Sequence, residues 1–307
     1  MNILLTGAAG QLGKELIPRL SELGRLTLAD RDAVPGKAEA LQLDLGDLNR
    51  VEIMLNRQRP DVVVNAAAYT AVDLAEDHAQ TAFRVNSDLP DCLARWCKRN
   101  DRLLIHYSTD YVFAGDSGRP YTEVDEAAPL GVYGESKLAG EQVITASGCR
   151  HFILRTSWVY SGHGNNFMLT MLRLALTRPN LTIVSDQEGC PTWARNLARV
   201  TRQVIEQSAS SREGGAPAGI YHYCDGDAVT WYEFAHAIFS EAVEAGLLDR
   251  MPEMKAVKTS EFPQKAKRPL YSVLDTKKIQ EAFGIEPAGL HQALQTCIRE
   301  VAVNEIR

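Results

Sequence analysis

The first 158 residues alternate short apolar runs with stretches of helical spacing. Asn2 to Leu5 reads as a short strand, and Leu12, Leu16 and Leu20 mark one face of a helix over Gln11 to Leu23. Leu26 to Ala29 and Ala40 to Leu43 predict two further strands, and Val51 to Arg57 a helix that stops before Pro60. Asp61 to Asn65 contains Val62-Val63-Val64, the continuous β-branched run of a strand buried on both faces. A helix from Asp88 to Arg99 leads into the buried strand Leu103 to Tyr107, and a helix over Ser136 to Thr145 into a strand at His151 to Leu154. Such alternation, with crossovers of this length, predicts an α/β fold: a Rossmann-type, doubly wound parallel sheet covered by helices.

Beyond residue 158 the pattern loosens. Helices are expected at Phe167 to Ala175, Trp193 to Gln207, Trp231 to Ala245 and Thr276 to Phe283, with a strand at Leu181 to Val184. Ser208 to Gly219 is polar and rich in Gly and Pro, as expected of a surface loop. The expected division is a dinucleotide-binding domain over 1–158, with segments near 181–225 returning to it, and a smaller α/β lobe over 159–307.

Charge and cysteine usage narrow the function classes. A net charge of -6 leaves no broad basic face for a phosphate backbone, so nucleic acid is not expected as a partner. No apolar run reaches the roughly 18 to 20 residues needed to cross a bilayer, and the opening Met-Asn-Ile-Leu-Leu-Thr-Gly does not read as a signal peptide. The six cysteines are scattered and the histidines show no HxxxH or HExxH spacing, which argues against disulfide scaffolds and zinc. A cytoplasmic enzyme, monomeric or homodimeric, is expected.

The first strand runs into Thr6-Gly7-Ala8-Ala9-Gly10-Gln11-Leu12-Gly13 and then a helix. In this GxxGxxG spacing Gly7 permits the sharp turn, Gly10 lets backbone approach a pyrophosphate, and Gly13 lets the helix pack on the sheet. Free amides and the positive end of the helix then face the anion. Asp30, some twenty residues on, can grip the adenosine ribose, which favours NADH, whereas Arg31 can pair with the 2′-phosphate of NADPH. Asp44 and Leu45 follow the third strand at the level of the adenine, and Ala66, Ala67 and Ala68 follow the fourth with small side chains over which a cofactor can pass.

Tyr133 and Lys137, four apart at a helix start, lie about one turn apart on one face. A free tyrosine has a pKa of about 10, and a neighbouring ammonium is expected to lower it toward useful proton transfer. Thr109, in Ser108-Thr109-Asp110, would end the fifth strand within reach of a reacting oxygen.

Together TGAAGQLG, NAAAYTAVD, Val85-Asn86, YSTDYVFAG and YGESK resemble the extended short-chain dehydrogenase/reductases. Within that superfamily HYSTDYVF, VYGESKLAGE, RTSWVYSGHGNNF, DQEGCPT and the late Arg268-Pro269 resemble, over nearly the whole chain, the reductases of dTDP-4-keto-6-deoxy sugars. The resemblance implies hydride transfer from NADPH or NADH to C4 of a dTDP-sugar bound by the second lobe, within nucleotide-sugar and polysaccharide biosynthesis. By the same resemblance Tyr133 protonates the C4 oxygen, Lys137 tunes Tyr133 and holds the ribose, and Thr109 hydrogen-bonds that oxygen. Asp110 and Trp158 would line the sugar pocket, Tyr107 would contact the cofactor, and Asn166 and Arg268 would serve the diphosphate. Trp158 has an alternative as a core aromatic, and Arg268, beside Lys265 and Lys267, one as part of a solvated charge run.

One departure bears on metal. Some relatives carry a carboxylate after G-x-P-T near a magnesium-assisted dimer contact, whereas Gly189-Cys-Pro-Thr-Trp-Ala-Arg195 has arginine there. Glu15 alone rarely holds Mg²⁺, so a magnesium role is not expected. Two other functions share the scaffold: a sugar-nucleotide epimerase or dehydratase, and a regulatory subunit that binds nucleotide without turnover.

Overall fold

The computed structural model describes residues 1–210 and 216–301. Its chain order is β1 (Asn2–Thr6), α1 (Gln11–Ser21), β2 (Arg25–Asp30), β3 (Leu41–Gln42), α2 (Leu48–Gln58), β4 (Val62–Asn65), α3 (Val72–Ala75) and α4 (Ala79–Phe83). A π-turn (Arg84–Asp88) feeds α5 (Leu89–Asn100), followed by β5 (Leu103–Thr109), α6 (Val132–Ser147), β6 (Arg150–Thr156), β7 (Val159–Tyr160) and α7 (Phe167–Thr177). Then come β8 (Asn180–Val184), β9 (Glu188–Gly189), β10 (Thr192–Trp193), α8 (Ala194–Ser210), β11 (Gly219–His222), β12 (Val229–Thr230) and α9 (Trp231–Glu244). The chain closes with β13 (Glu253–Val257), α10 (Lys277–Phe283) and α11 (Leu290–Glu300).

Seven strands form one parallel sheet in the order β11-β6-β5-β4-β1-β2-β3. The order reverses between β1 and β4, the crevice where doubly wound sheets bind ligands. The predicted parallel α/β sheet is the observed one. Its central strands open with consecutive apolar residues because both faces meet a helix layer. Leu4, Val63, Leu104 and Ile153 pack with Val51 and Leu55 of α2, Leu93 of α5 and Ile144 of α6. Ile3, Leu5, Val64, Ile105 and Leu154 face the other way, onto Leu16 and Leu20 of α1 and Leu197 and Val204 of α8. Val62-Val63-Val64 is thus divided between two cores, as alternation along a strand demands.

A third cluster joins Met168 and Leu172 of α7, Phe234 and Ile238 of α9, and Leu294 and Ile298 of α11. Beside it β8 and β13 form a separate parallel pair. β11, from well beyond residue 158, extends the main sheet beside β6. Over the expected loop at Ser208 to Gly219, α8 continues to Ser210 and β11 begins at Gly219; residues 211–215 lie outside the described residues. No described helix is long and apolar enough to cross a membrane.

Candidate active site

Gly7 makes the turn out of β1 at φ 73°, a left-handed conformation that a side chain disfavours. It also sits against β4: a Cβ there would lie 2.4 Å from the amide nitrogen of Ala67. Gly10 caps α1, and beside it opens a cavity of about 410 Å³. Gly7, Gly10, Asp30, Arg31, Asp44, Leu45, Ala66, Ala67 and Ala68 all line this cavity. Asp30 accepts hydrogen bonds from the amides of Ala9 at 2.9 Å and Asp32 at 3.0 Å, so much of its charge is spent on backbone, while Arg31 stays open to solvent.

Gln11, Leu12 and Gly13 are not among the residues lining this cavity. Gln11 donates to the carbonyl of Val159 at 3.2 Å, Leu12 packs on the core, and Gly13 is buried in α1. Replacing Gly7 by alanine is expected to lower stability by roughly 1–3 kcal/mol, the scale of a strained backbone residue. Urea unfolding would read this; an unchanged midpoint would mean that the turn tolerates a side chain.

The helix that carries Tyr133 and Lys137 begins earlier than its sequence predicts. α6 starts at Val132, not near Ser136, so Tyr133 and Lys137 occupy its first and second turns. The reason lies outside the segment: the Glu76 carboxylate accepts the Val132 amide at 3.0 Å, an anion at the positive end of the helix. Gly134 lets this end approach the preceding loop, since a Cβ there would lie 2.3 Å from the carbonyl oxygen of Tyr111. Asn86 of the Val-Asn pair ties the helix to the cavity wall. It bonds the backbone of Tyr69 at both ends of its amide and reaches the Ser136 hydroxyl at 3.0 Å.

Thr109 ends β5 buried, with its hydroxyl donating to Asp110 at 3.0 Å and accepting from the Tyr111 amide at 3.1 Å. Burial pushes Tyr133 up to about 12, the opposite of the expected lowering by an ammonium, and the Thr109 hydroxyl offsets this only in part. Lys137 is enclosed and held down at about 8 by burial. Its ammonium donates to the carbonyl of Tyr107 at 2.6 Å. The Tyr107 side chain itself belongs to the core opposite, its hydroxyl 2.7 Å from Thr201. What Tyr107 offers this site is therefore its carbonyl.

Asp110 is buried with one carboxylate oxygen unpartnered, and burial raises it to about 6. Trp158, just past β6, holds φ 46°, a strained conformation for a tryptophan. Its indole stacks on Trp231 at the start of α9, with centroids 3.4 Å apart and planes within 5°. Arg268 is not part of a solvated run: it is half-buried and donates to Asp73 and Gln264, each at 2.8 Å. Asn166 caps α7 through its oxygen, and its nitrogen reaches Gln11 at 3.2 Å. Both ends of its amide are thereby engaged within the fold.

Arg195 lies between Glu15 at 2.9 Å and Glu300 at 2.8 Å, where its guanidinium supplies the counter-charge to Glu15. Among the described residues no group of three or more His, Cys, Asp or Glu side chains is placed to hold a metal ion. Glu76, Trp231, Tyr111 and Asp73 border the site without a sequence signal that singles them out. Glu76, Asp73 and Trp231 reach it across long stretches of chain, whereas Tyr111 adjoins Asp110.

A parallel sheet with a glycine turn at its switch point and a Tyr-Lys helix beside it defines a Rossmann-type short-chain dehydrogenase/reductase. The family model for the RmlD substrate binding domain matches residues 1–303, and the chain belongs to that dTDP-4-dehydrorhamnose reductase family. It is 42% identical to the dTDP-4-dehydrorhamnose reductase of Shigella flexneri over 93% of both chains. Two solved reductases of that name superpose with a TM-score of 0.86. The one from Clostridium acetobutylicum is 35% identical, with 97% of this chain and 98% of that one covered. The one from Bacillus anthracis, solved in complex with NADP, is 32% identical, with 97% and 99% covered.

Proposed function

We propose that this protein reduces the C4 keto group of dTDP-4-dehydro-β-L-rhamnose to give dTDP-L-rhamnose, using NADPH or NADH. The single observation that carries this reading is the grouping of Thr109, Tyr133 and Lys137 at the carboxyl end of β5, in a chain whose family match spans residues 1–303. A nicotinamide dinucleotide fits the site, since the Gly7 turn leaves the cradle open and the cavity beside it runs from Gly10 to Asp30. When bound, it supplies the hydride. Gly7, Gly10 and Ala66 to Ala68 would hold it along the sheet edge, Asp30 or Arg31 at the adenosine, Asp44 and Leu45 at the adenine.

The chain's own work is proton delivery and orientation. Thr109 would turn its one hydroxyl proton from Asp110 to the C4 oxygen, and Tyr133 would give that oxygen its proton. A tyrosine held near 12 keeps its proton at neutral pH, as a donor in a reduction must. Lys137 then stabilises the phenolate that remains. Asp110 and Trp158 would frame the sugar, and Arg268 would leave Asp73 to meet the diphosphate, for which a guanidinium fork is well shaped. Asn166 would act on the nucleotide through its hold on Gln11.

A cofactor-oxidation assay with the dTDP-sugar, run with NADPH and NADH side by side, tests the reading. Stoichiometric loss of reduced nicotinamide is expected. An epimerase would interconvert sugars with no net loss, and a regulatory subunit would bind cofactor and consume none.

A further inference from the structure

One row of this sheet is polar. The register sets Thr6 of β1 beside Asn65 of β4, and Asn65 beside His106 of β5. All three are essentially inaccessible, while the neighbouring positions of the same strands are Leu5, Val64 and Ile105. Burying three polar side chains in an apolar sheet is unfavourable unless each finds its partner. They find one another: the Asn65 amide lies 2.7 Å from the Thr6 hydroxyl and 3.0 Å from Nδ1 of His106. The row ends at Lys137, whose Nζ is 3.5 Å from Nε2 of His106.

An ammonium has only donors, so Nε2 must accept. The ring proton then sits on Nδ1, which requires the two ends of the Asn65 amide to exchange from the placement in which Thr6 donates to its oxygen and its nitrogen meets Nδ1. The two ends of an amide fill equivalent places, so the hydrogen-bond network decides between them. Burial and the Lys137 charge hold the His106 imidazole well below its ordinary value, in its neutral form. Of the three Lys137 donors, Tyr107 takes one and His106 a second, which leaves one for the reacting side.

We propose that His106 is a positioning residue for Lys137: its neutral ring accepts one ammonium N–H at Nε2, and the Asn65 amide, backed by Thr6, takes up the proton on Nδ1. The inference rests on the proposed role of Lys137 beside Tyr133, but its test does not require turnover. The ionisable groups facing the pair are Tyr133 one turn earlier on α6, Glu141 one turn later, and His151 on β6. Glu141 is already committed to Arg155 through two hydrogen bonds.

Losing the acceptor removes a hydrogen bond to the charged form, so Lys137 should give up its proton at lower pH. The test is an NMR titration of Lys137 in the cofactor-free protein carrying ¹³C-labelled lysine, with Lys137→Arg to assign the signal. His106→Gln keeps an acceptor near the place of Nε2, whereas His106→Asn keeps only the Asn65 contact and His106→Phe neither. The Lys137 midpoint is expected to fall by about one to two pH units in the Asn and Phe variants, the worth of one hydrogen bond to a charged group. In His106→Gln it is expected to stay within about half a unit. Should the Phe variant fail to fold, the Gln and Asn pair decides. An unmoved midpoint in folded His106→Asn, or equal shifts in both, would overturn the proposal. If the midpoint moves as expected but the protein reduces no dTDP-sugar, the functional reading fails and the placement of Lys137 by His106 stands.

Discussion

Replacing Tyr133 by phenylalanine is expected to lower kcat by about 10²- to 10⁴-fold, the contribution of a positioned proton donor. Cofactor affinity should stay close to that of the unsubstituted protein, because the ring remains and only the hydroxyl is lost. The edge-on packing of the Tyr133 ring against Tyr111, with centroids 5.7 Å apart, needs no hydroxyl and should hold the helix start in place. Steady-state kinetics and a cofactor titration on the same preparation measure both quantities. Equal turnover would remove Tyr133 from proton transfer. Loss of cofactor binding would instead point to a structural role for the hydroxyl.

The second large effect concerns stability. Glu141 and Arg155 form a two-pronged ion pair at 2.9 and 2.6 Å, both side chains essentially inaccessible, joining α6 to β6. The guanidinium also lies over the Phe113 ring, 5.1 Å from its centroid, and with burial holds His222 down at about 3. Replacing Glu141 by leucine strands the Arg155 charge in the interior, and a loss of roughly 3–5 kcal/mol is expected. Adding Arg155→Met should recover much of that loss, because two apolar side chains of similar volume avoid the desolvation penalty. Denaturant unfolding of the single and double variants tests this. A double variant no more stable than the single one would mean that packing, not the unpaired charge, sets the loss.

The two cases illustrate what a sequence displays and what it hides. β1, β4 and β5 were legible because strands buried on both faces carry runs of consecutive apolar residues, and Val62-Val63-Val64 fits no other element as well. The glycine turn was legible because Gly7 meets both a backbone and a neighbouring-strand constraint that only glycine satisfies. Tyr133 and Lys137 were legible as a pair because helical spacing relates them locally. α11 carries the same kind of signal in Leu290, Ala293, Leu294, Cys297 and Ile298, and that spacing could have revealed it.

The remainder depends on contacts between distant segments. The start of α6 is set by Glu76, which lies 56 residues earlier. Arg268 is held by Asp73 across 195 residues, and no local pattern marks the partner. The Tyr133 shift runs opposite to the expected one for the same reason: spacing shows a neighbouring ammonium, but not the enclosure that raises the phenol nor the Tyr107 carbonyl that takes a Lys137 proton. Trp158 carried no sign of its strained backbone or of the Trp231 ring beneath it. Tyr107 was expected to contact the cofactor; alternation along β5 turns its side chain into the opposite core and leaves its carbonyl toward Lys137.

In the proposed reaction the reduced nicotinamide hands its hydride to C4 of the sugar while Tyr133 supplies the proton. The direct measurement is a turnover with NADPH deuterated at the transferring position, followed by mass spectrometry and NMR of the sugar product. The expected product is dTDP-L-rhamnose carrying deuterium at C4, formed at a rate that collapses in Tyr133→Phe. A product without deuterium at C4, or one formed equally fast by that variant, would contradict it.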